Sequence, residues 1–292
     1  MNLKTVREGF TCWLYLVPAL AFFVIFVLYS IFFAVQLSFF RWDGLSPNAI
    51  FVGIQNYVRL LGDEVFLRAI INTSLYTAGA IVFQASLGLL LALLISRISK
   101  GRLFFRTAYF VPVVMSSVIV GLLWSWFLAP HFGPIFKLFA LLGLPDQIWL
   151  GNPDTALLTV LAVHVWKWSG WSMVIYLAGL QTIPLDLYEA ARVEGATSLQ
   201  IFWKITLPLL ATATVINVAS ICIGSFQVFD LIFVMTQGGP GYSSEVMATF
   251  IYQKGFGALS MGYASAASCV LFLLILVASF FYVRKMITRD VG

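Results

Sequence analysis

A helix that crosses a bilayer needs about 20 consecutive, mostly apolar residues. Six stretches of this sequence meet that length, near residues 13–40, 70–95, 108–128, 157–180, 206–235 and 264–283. Composition agrees: only 10% of residues are charged, against about 25% in soluble domains. The first run is too long for the apolar core of a signal peptide, about 7–15 residues, and no small-residue cleavage site follows it. It is expected to be a retained span. The segments between spans at 41–69, 129–156 and 236–263 are each under 30 residues, too short for an independent catalytic domain. The expected fold is all-α: one polytopic domain over residues 1–292 with six transmembrane helices.

Charge sets the topology. One set of flanks (1–12, 96–107, 181–205, 284–292) carries Lys4, Arg7, Arg97, Lys100, Arg102, Arg106, Arg192, Lys204, Arg284, Lys285 and Arg289. The other set is longer but holds only Arg41, Arg59, Arg68, Lys137 and Lys254. Excess Lys and Arg in short loops marks the cytoplasmic side. Both termini are therefore expected in the cytoplasm, together with the segment 181–208.

That segment is the polar interruption in an otherwise apolar chain. Pro184 suits a helix start, "LDLYEAARVE" supplies helix formers, and Gly195 suits the left-handed residue that ends a helix. Thr197 and Gln200 have the spacing of a capping box. A helix–turn–helix is expected. Ala190 and Ala191 make one face small, Glu189 offers a charge, and Leu199, Phe202 and Trp203 offer apolar contact. Read from the residues alone, the segment is either a docking element or an amphipathic connector under the bundle.

The joint spacing Glu189-Ala190-Ala191, Gly195, Ile205, Leu207-Pro208 resembles the EAA loop of bacterial ABC importer permeases. "FVGIQNYVRLL" (51–61), "IYLAGLQTIPLDLYEAA" (175–191), "FQVFDLIFVMTQGGP" (226–240) and "GYASAAS" (262–268) resemble the carbohydrate-uptake branch of maltose and glycerol-phosphate type. The resemblance covers nearly the whole chain. It implies the permease subunit of a binding-protein-dependent importer in a bacterial or archaeal inner membrane. It also implies a second permease subunit, two ATP-binding subunits that hold ATP and Mg, and an extracytoplasmic sugar-binding protein. The EAA loop would be the coupling helix that docks on an ATPase subunit.

The sequence carries little chemistry of its own. No Gly-Lys pair occurs, so the chain cannot build a Walker A phosphate cradle; this argues for a transport subunit, not an enzyme. The two histidines, His131 and His164, lie in no metal-ligand spacing. Cys12, Cys222 and Cys269 show no pairing pattern. "NTS" at 72–74 opens a span and is discounted as a glycosylation site. The basic residues follow topology and do not form a nucleic-acid footprint.

Two helical faces stand out. His164, Lys167, Trp168 and Trp171 share one face of the fourth span. An ammonium at that depth costs on the order of 3 kcal/mol on insertion scales, so Lys167 is expected against protein or water. An aromatic belt with a snorkelling Lys167 is the plainer alternative. In the fifth span, Asn217, Ser220, Gly224 and Gln227 form a polar stripe beside Ile221, Gly224, Ser225 and Val228. Such stripes also serve as helix–helix packing. The family resemblance places cavity-lining positions, counted from Glu189, on His164, Lys167, Trp168, Trp171, Ile221, Gly224, Ser225 and Val228. Asp230 either pairs with Lys167 or anchors the "TQGGPG" turn at 236–241. Rival functions are an importer for an amino acid or phosphate ester, a secondary transporter and an intramembrane enzyme. Ion coupling usually uses several intramembrane carboxylates, and the spans offer Asp230 alone.

Overall fold

The computed structural model describes residues 15–145 and 147–290, with side chains described as far as residue 280. Cys12, Lys4, Arg7 and the first two residues of the expected 13–40 span lie outside the described residues. The chain divides into two compact units. One comprises Met1–Asp63 with Ile251–Val270, the other Glu64–Phe250 with Leu271–Gly292.

In the first unit, α1 (Tyr15–Leu37) is a 23-residue helix with a π turn at Val24–Leu28. Its Phe, Leu and Val side chains are exposed along its length, a surface suited to hydrocarbon and not to water. A short antiparallel ribbon follows, β1 (Phe40–Arg41) against β2 (Ile50–Phe51), with Phe40 opposite Phe51. This ribbon is an addition to the all-α expectation. In its connection Asp43 accepts hydrogen bonds from Ser46 Oγ and from the N–H groups of Ser46 and Leu45. These bonds favour the charged form and lower its carboxyl from 3.8 to about 2. Helix α2 (Gln55–Leu61) is tied back by Asn56, whose amide donates to Ser38 O at 2.8 Å and Phe40 O at 2.9 Å. Near α2, Asp63 accepts from Tyr263 Oη at 2.9 Å and pairs with Lys254 at 3.4 Å.

The second unit is built on α3 (Glu64–Ser96), α4 (Arg102–Val114), α5 (Ser117–Phe127), α6 (Pro134–Leu141) and α7 (Ala156–Gln181). These are followed by α8 (Leu185–Val193), α9 (Ser198–Leu209), α10 (Ala211–Phe226) and α11 (Asp230–Met235). Then come α12 (Met247–Tyr252) and α13 (Met261–Asp290), which cross unit boundaries after Phe250 and after Val270. The broadest contact is α3 against α7. It is close because a Cβ on Gly88 would land on the Ser172 side chain, and one on Gly79 would lie 2.5 Å from Leu161 Cδ2. Helix α4 reaches α7 the same way: a Cβ on Gly170 would meet the Tyr109 carbonyl. Small residues let membrane helices approach to backbone contact. Tyr76, Val160, Ile221 and Ile232 belong to one buried cluster; Ile95, Tyr176, Leu210 and Ala213 belong to another.

Two expected spans need correction. The third, at 108–128, is two helices, α4 and α5, bent by 97°. Pro112 inside α4 removes one backbone donor, and Met115 (ψ 145) and Ser116 (ψ 134) are extended. The fifth, at 206–235, is three pieces. Helices α9 and α10 meet at Leu210 with a 66° bend, and Gln227–Phe229 separates α10 from α11. The fourth is a continuous 26-residue helix, α7, about 39 Å long at 1.5 Å per residue, but it is less apolar than a lipid-facing span. Among the described residues three helices are long and apolar enough to cross a membrane alone, and five if each bent pair counts as one. Helix α7 falls outside that count because its polar residues lower its hydropathy; Thr159, His164, Lys167, Ser169 and Ser172 are nonetheless all under 10% exposed.

The 236–246 loop caps α3. Backbone φ is positive at Gln237, Gly238, Gly241 and Tyr242. Any Cβ on Gly238 would collide with the Glu245 carboxylate. Asn72 donates to Ser243 O at 3.1 Å and Glu245 O at 2.9 Å, and Thr73 Oγ1 accepts from Met247 N at 2.9 Å. The Asn72 amide is thus spent on the loop, in keeping with the discounted sequon.

Candidate functional site

A cavity of about 270 Å³ opens in the second unit. Helix α7 contributes His164, Trp168 and Trp171. Helix α10 contributes Ser220, Ile221, Gly224 and Ser225. Gln84 (α3), Ser117 (α5), Gln227, Val228 and Phe229, and Asp230 and Leu231 (α11) complete the wall. Seven of the eight residues expected at a substrate site therefore surround one cavity. The helical spacing explains the α7 face: residues at i, i+4 and i+7 stack along one side. The break after Phe226 turns Val228 and Asp230 onto the same wall.

Lys167, the eighth, is not part of the lining. It is 1% exposed; its Nζ donates to Val113 O at 3.1 Å and lies 4.2 Å from the Trp168 ring centroid. Val113 is one residue from the end of α4, where helix carbonyls lack intrahelical partners and carry partial negative charge. The ammonium thus caps the broken helix. Among the described residues no hydrogen bond or ion pair joins Asp230 to the 236–241 turn; its carboxylate attracts the Lys167 ammonium through space, without a direct contact, and Asp230 opens α11 and lines the cavity.

The wall is part aromatic and part polar. Trp171 is 42% exposed, so its indole is available to a ligand. His164 is buried with its ring 5.3 Å from Tyr76, edge to face. Gly224 would hold a Cβ with nothing within 4 Å, which marks open space. Ser225 is fully buried and its Oγ has no hydrogen-bond partner. Gln84 was not among the expected site residues. It was detectable as the deeper of the two amides in the second apolar run, Asn72 and Gln84, where polar residues are rare and functional. Ser117, Phe229 and Leu231 carried no sequence signal.

The 181–208 segment folds as two helices. Helix α8 ends in a Schellman motif: Ala196 N donates to Ala191 O at 2.9 Å, Gly195 N to Arg192 O at 3.1 Å, and Gly195 has φ +78. Thr197 N donates to Gln200 Oε1 at 2.8 Å and Gln200 N to Thr197 Oγ1 at 3.3 Å, completing the capping box that opens α9. Tyr188 Oη and Thr206 Oγ1, 3.3 Å apart, join the two helices. Ala191 is buried, whereas Glu189 and Ala190 are exposed. Gly195 and Ile205 line a shallow groove with Glu194 and Lys204. Leu207 and Pro208 form the end of α9 before its bend. Leu185, Val193, Leu199 and Trp203 present exposed apolar surface around this loop.

Comparison with known proteins places this architecture. Residues 84–291 match the family of inner membrane components of binding-protein-dependent transport systems. The chain belongs to that family. It is 40% identical to the "Probable ABC transporter permease protein YurN" of Bacillus subtilis, over 91% of this chain and 92% of that one. It is 32% identical to the "Probable starch degradation products transport system permease protein AmyD" of Thermoanaerobacterium thermosulfurigenes, over 99% and 98%. A chain of a bacterial alginate ABC transporter, solved in complex with an alginate pentasaccharide-bound periplasmic protein, superposes with TM-score 0.83 at 28% identity. That alignment covers 96% of this chain and 94% of the other.

Proposed function

We propose that this chain is the translocation subunit of an ATP-driven sugar importer. The observation that carries the reading is the cavity itself, where two indoles, an imidazole, two amides and hydroxyls converge. Indole faces suit the apolar faces of pyranoses, and the polar groups suit their hydroxyls. The relatives named for starch products and alginate support the same substrate class.

In this reading the chain crosses the membrane six times, α7 being the fourth and polar-lined span, with both termini and the α8–α9 loop in the cytoplasm. The asymmetry of basic residues supports that orientation. An extracytoplasmic binding protein delivers sugar, and a second permease subunit completes the pathway. Two ATP-binding subunits hold ATP and Mg, while this chain binds no cofactor. Their closure pulls on α8 and turns the cavity outward; hydrolysis returns it inward, a rigid-body form of alternating access. Exposed Glu189, the small Ala190 beside it and the rigid Gly195 turn support α8 as the docking lever.

The test is a mild-detergent pull-down of the tagged chain from its own membranes, with Glu189→Arg alongside. Wild type is expected to bring down an ATPase and a second permease, and the variant to lose the ATPase. Absence of an ATPase with either protein would sink the lever and make ion-coupled transport the better reading.

A further inference from the structure

Gln84 is a cavity residue that neither the helical faces nor the family resemblance picks out, and its hydrogen bonds are unusually informative. The side chain is 3% exposed. Its Nε2 donates to Trp168 O at 3.3 Å and to Ser172 Oγ at 3.0 Å. Rotating the amide by half a turn would set Oε1 against the Trp168 carbonyl, two acceptors face to face, so the orientation is fixed. Both amide protons are thereby used. Oε1 is left buried with no partner, on a residue that lines the cavity. The close crossing at Gly88 and Ser172 brings α3 near enough for these bonds.

Across the cavity on α10, Ser225 Oγ is the second buried group without a partner. One can only accept, and the other can donate or accept. Burying such groups unpaired is unfavourable, and a ligand hydroxyl satisfies either one. Charge narrows the ligand further. The cavity wall contains no Lys or Arg, and its carboxylate is Asp230. The nearby ammonium of Lys167 is committed to Val113 O and the Trp168 ring. A carboxylate on the ligand would meet the like charge of Asp230 and no Lys or Arg in the wall, and the one ammonium nearby, Lys167, is already offset by Asp230.

We propose that Gln84 is a specificity-determining residue whose amide oxygen accepts a hydroxyl of an uncharged saccharide, and that this cavity disfavours polyuronates such as alginate. This rests on the sugar-import reading. Helix–helix glue alone accounts for the Nε2 bonds but not for a buried acceptor left without a partner on a residue that lines the cavity.

The test uses the complex that co-purifies with the tagged chain. Binding is read by tryptophan fluorescence and calorimetry with maltotriose, arabinotriose and cellotriose against trimannuronate and trigalacturonate. The tightest neutral binder is then compared with its mono-deoxyfluoro derivatives, since fluorine removes the donor while keeping the size. At least one neutral sugar is expected to bind tenfold or more tightly than either uronate. One fluorinated position is expected to lose about tenfold in wild type and nothing further in Gln84→Met. Ser172→Ala removes one Nε2 partner but leaves Oε1, so its fluorine penalty is expected to persist; it also controls for folding. Tighter uronate binding overturns the uncharged class. Equal fluorine penalties in wild type and Gln84→Met reduce Gln84 to a packing residue. Failure of every sugar to bind a complex that still contains its ATPase overturns the sugar-site reading itself.

Discussion

The same substitution, glycine to alanine, is expected to have opposite consequences at two positions. At Gly170 the new Cβ would meet the carbonyl of Tyr109, with Tyr109 C at 2.9 Å and Phe110 Cα at 3.2 Å. All three are backbone atoms of α4, so no rotamer change relieves the clash. Helix α4 would have to withdraw by on the order of 1 Å to regain van der Waals separation. Overpacking of this kind costs about 1–3 kcal/mol. The helix-propensity gain of alanine over glycine, about 0.5–1 kcal/mol, does not offset it. Withdrawal would also stretch the 3.1 Å bond from Lys167 to Val113 O and release the cap of the broken helix. At Gly224 the Cβ meets nothing within 4 Å, so the propensity gain stands alone. Thermal unfolding of the purified chain, followed by tryptophan fluorescence, is expected to fall by several degrees for Gly170→Ala. It is expected to stay level or rise slightly for Gly224→Ala. A Gly170→Ala protein as stable as wild type would refute the backbone contact between α4 and α7.

The remaining expectations concern the loop, the cavity and pH. Gly195→Val places a β-branched residue at φ +78, a local cost of about 1–2 kcal/mol. ATP hydrolysis in the reconstituted complex is expected to continue while transport falls; fully coupled transport would count against the turn geometry. Trp168→Ala and Trp171→Ala are each expected to weaken sugar-stimulated ATP turnover without loss of assembly, and wild-type transport in both would remove this helix face from the site. The Asp43 carboxyl is lowered to about 2 in the folded protein. The turn it holds therefore keeps its full stability above about pH 4 and loses it as pH falls towards 2. Hydrogen exchange at Leu45 and Ser46 should accelerate only at the acid end of that window. Acceleration beginning at pH 5 would contradict the assignment.

Local signals in the sequence were the legible ones. The left-handed Gly195, the Thr197–Gln200 box and the Trp168–Trp171 face each depend on residues within one or two turns of each other, and each has its expected geometry. The fold departed where the determinant is distant or backbone-borne. Through "VPVVMSSVIVG" the run is apolar except for Pro112 and Ser116–Ser117, which allow a break but do not reveal that α4 stops at Val114 and α5 leaves at 97°. The partner that stabilises this break is Lys167, 54 positions along the chain. Its depth in the fourth span signalled a buried charge, but an acceptor carbonyl has no sequence signature. Gln84 was visible as a deep amide, but its meaning was hidden for a related reason: it lies in which of its two polar atoms is already occupied.

The glycines at 79, 88 and 170 have a mechanical consequence. Helix α7 is clamped between α3 and α4 by contacts through backbone and short side chains, which leave little slack for sliding or rotamer exchange. The facing wall is articulated, with joints at Leu210 and at Gln227–Phe229. The cavity thus has a stiff jaw and a jointed one. Opening and closing are expected to be taken up by α10 swinging on its two joints, while the tryptophan face stays still and serves as the fixed anvil.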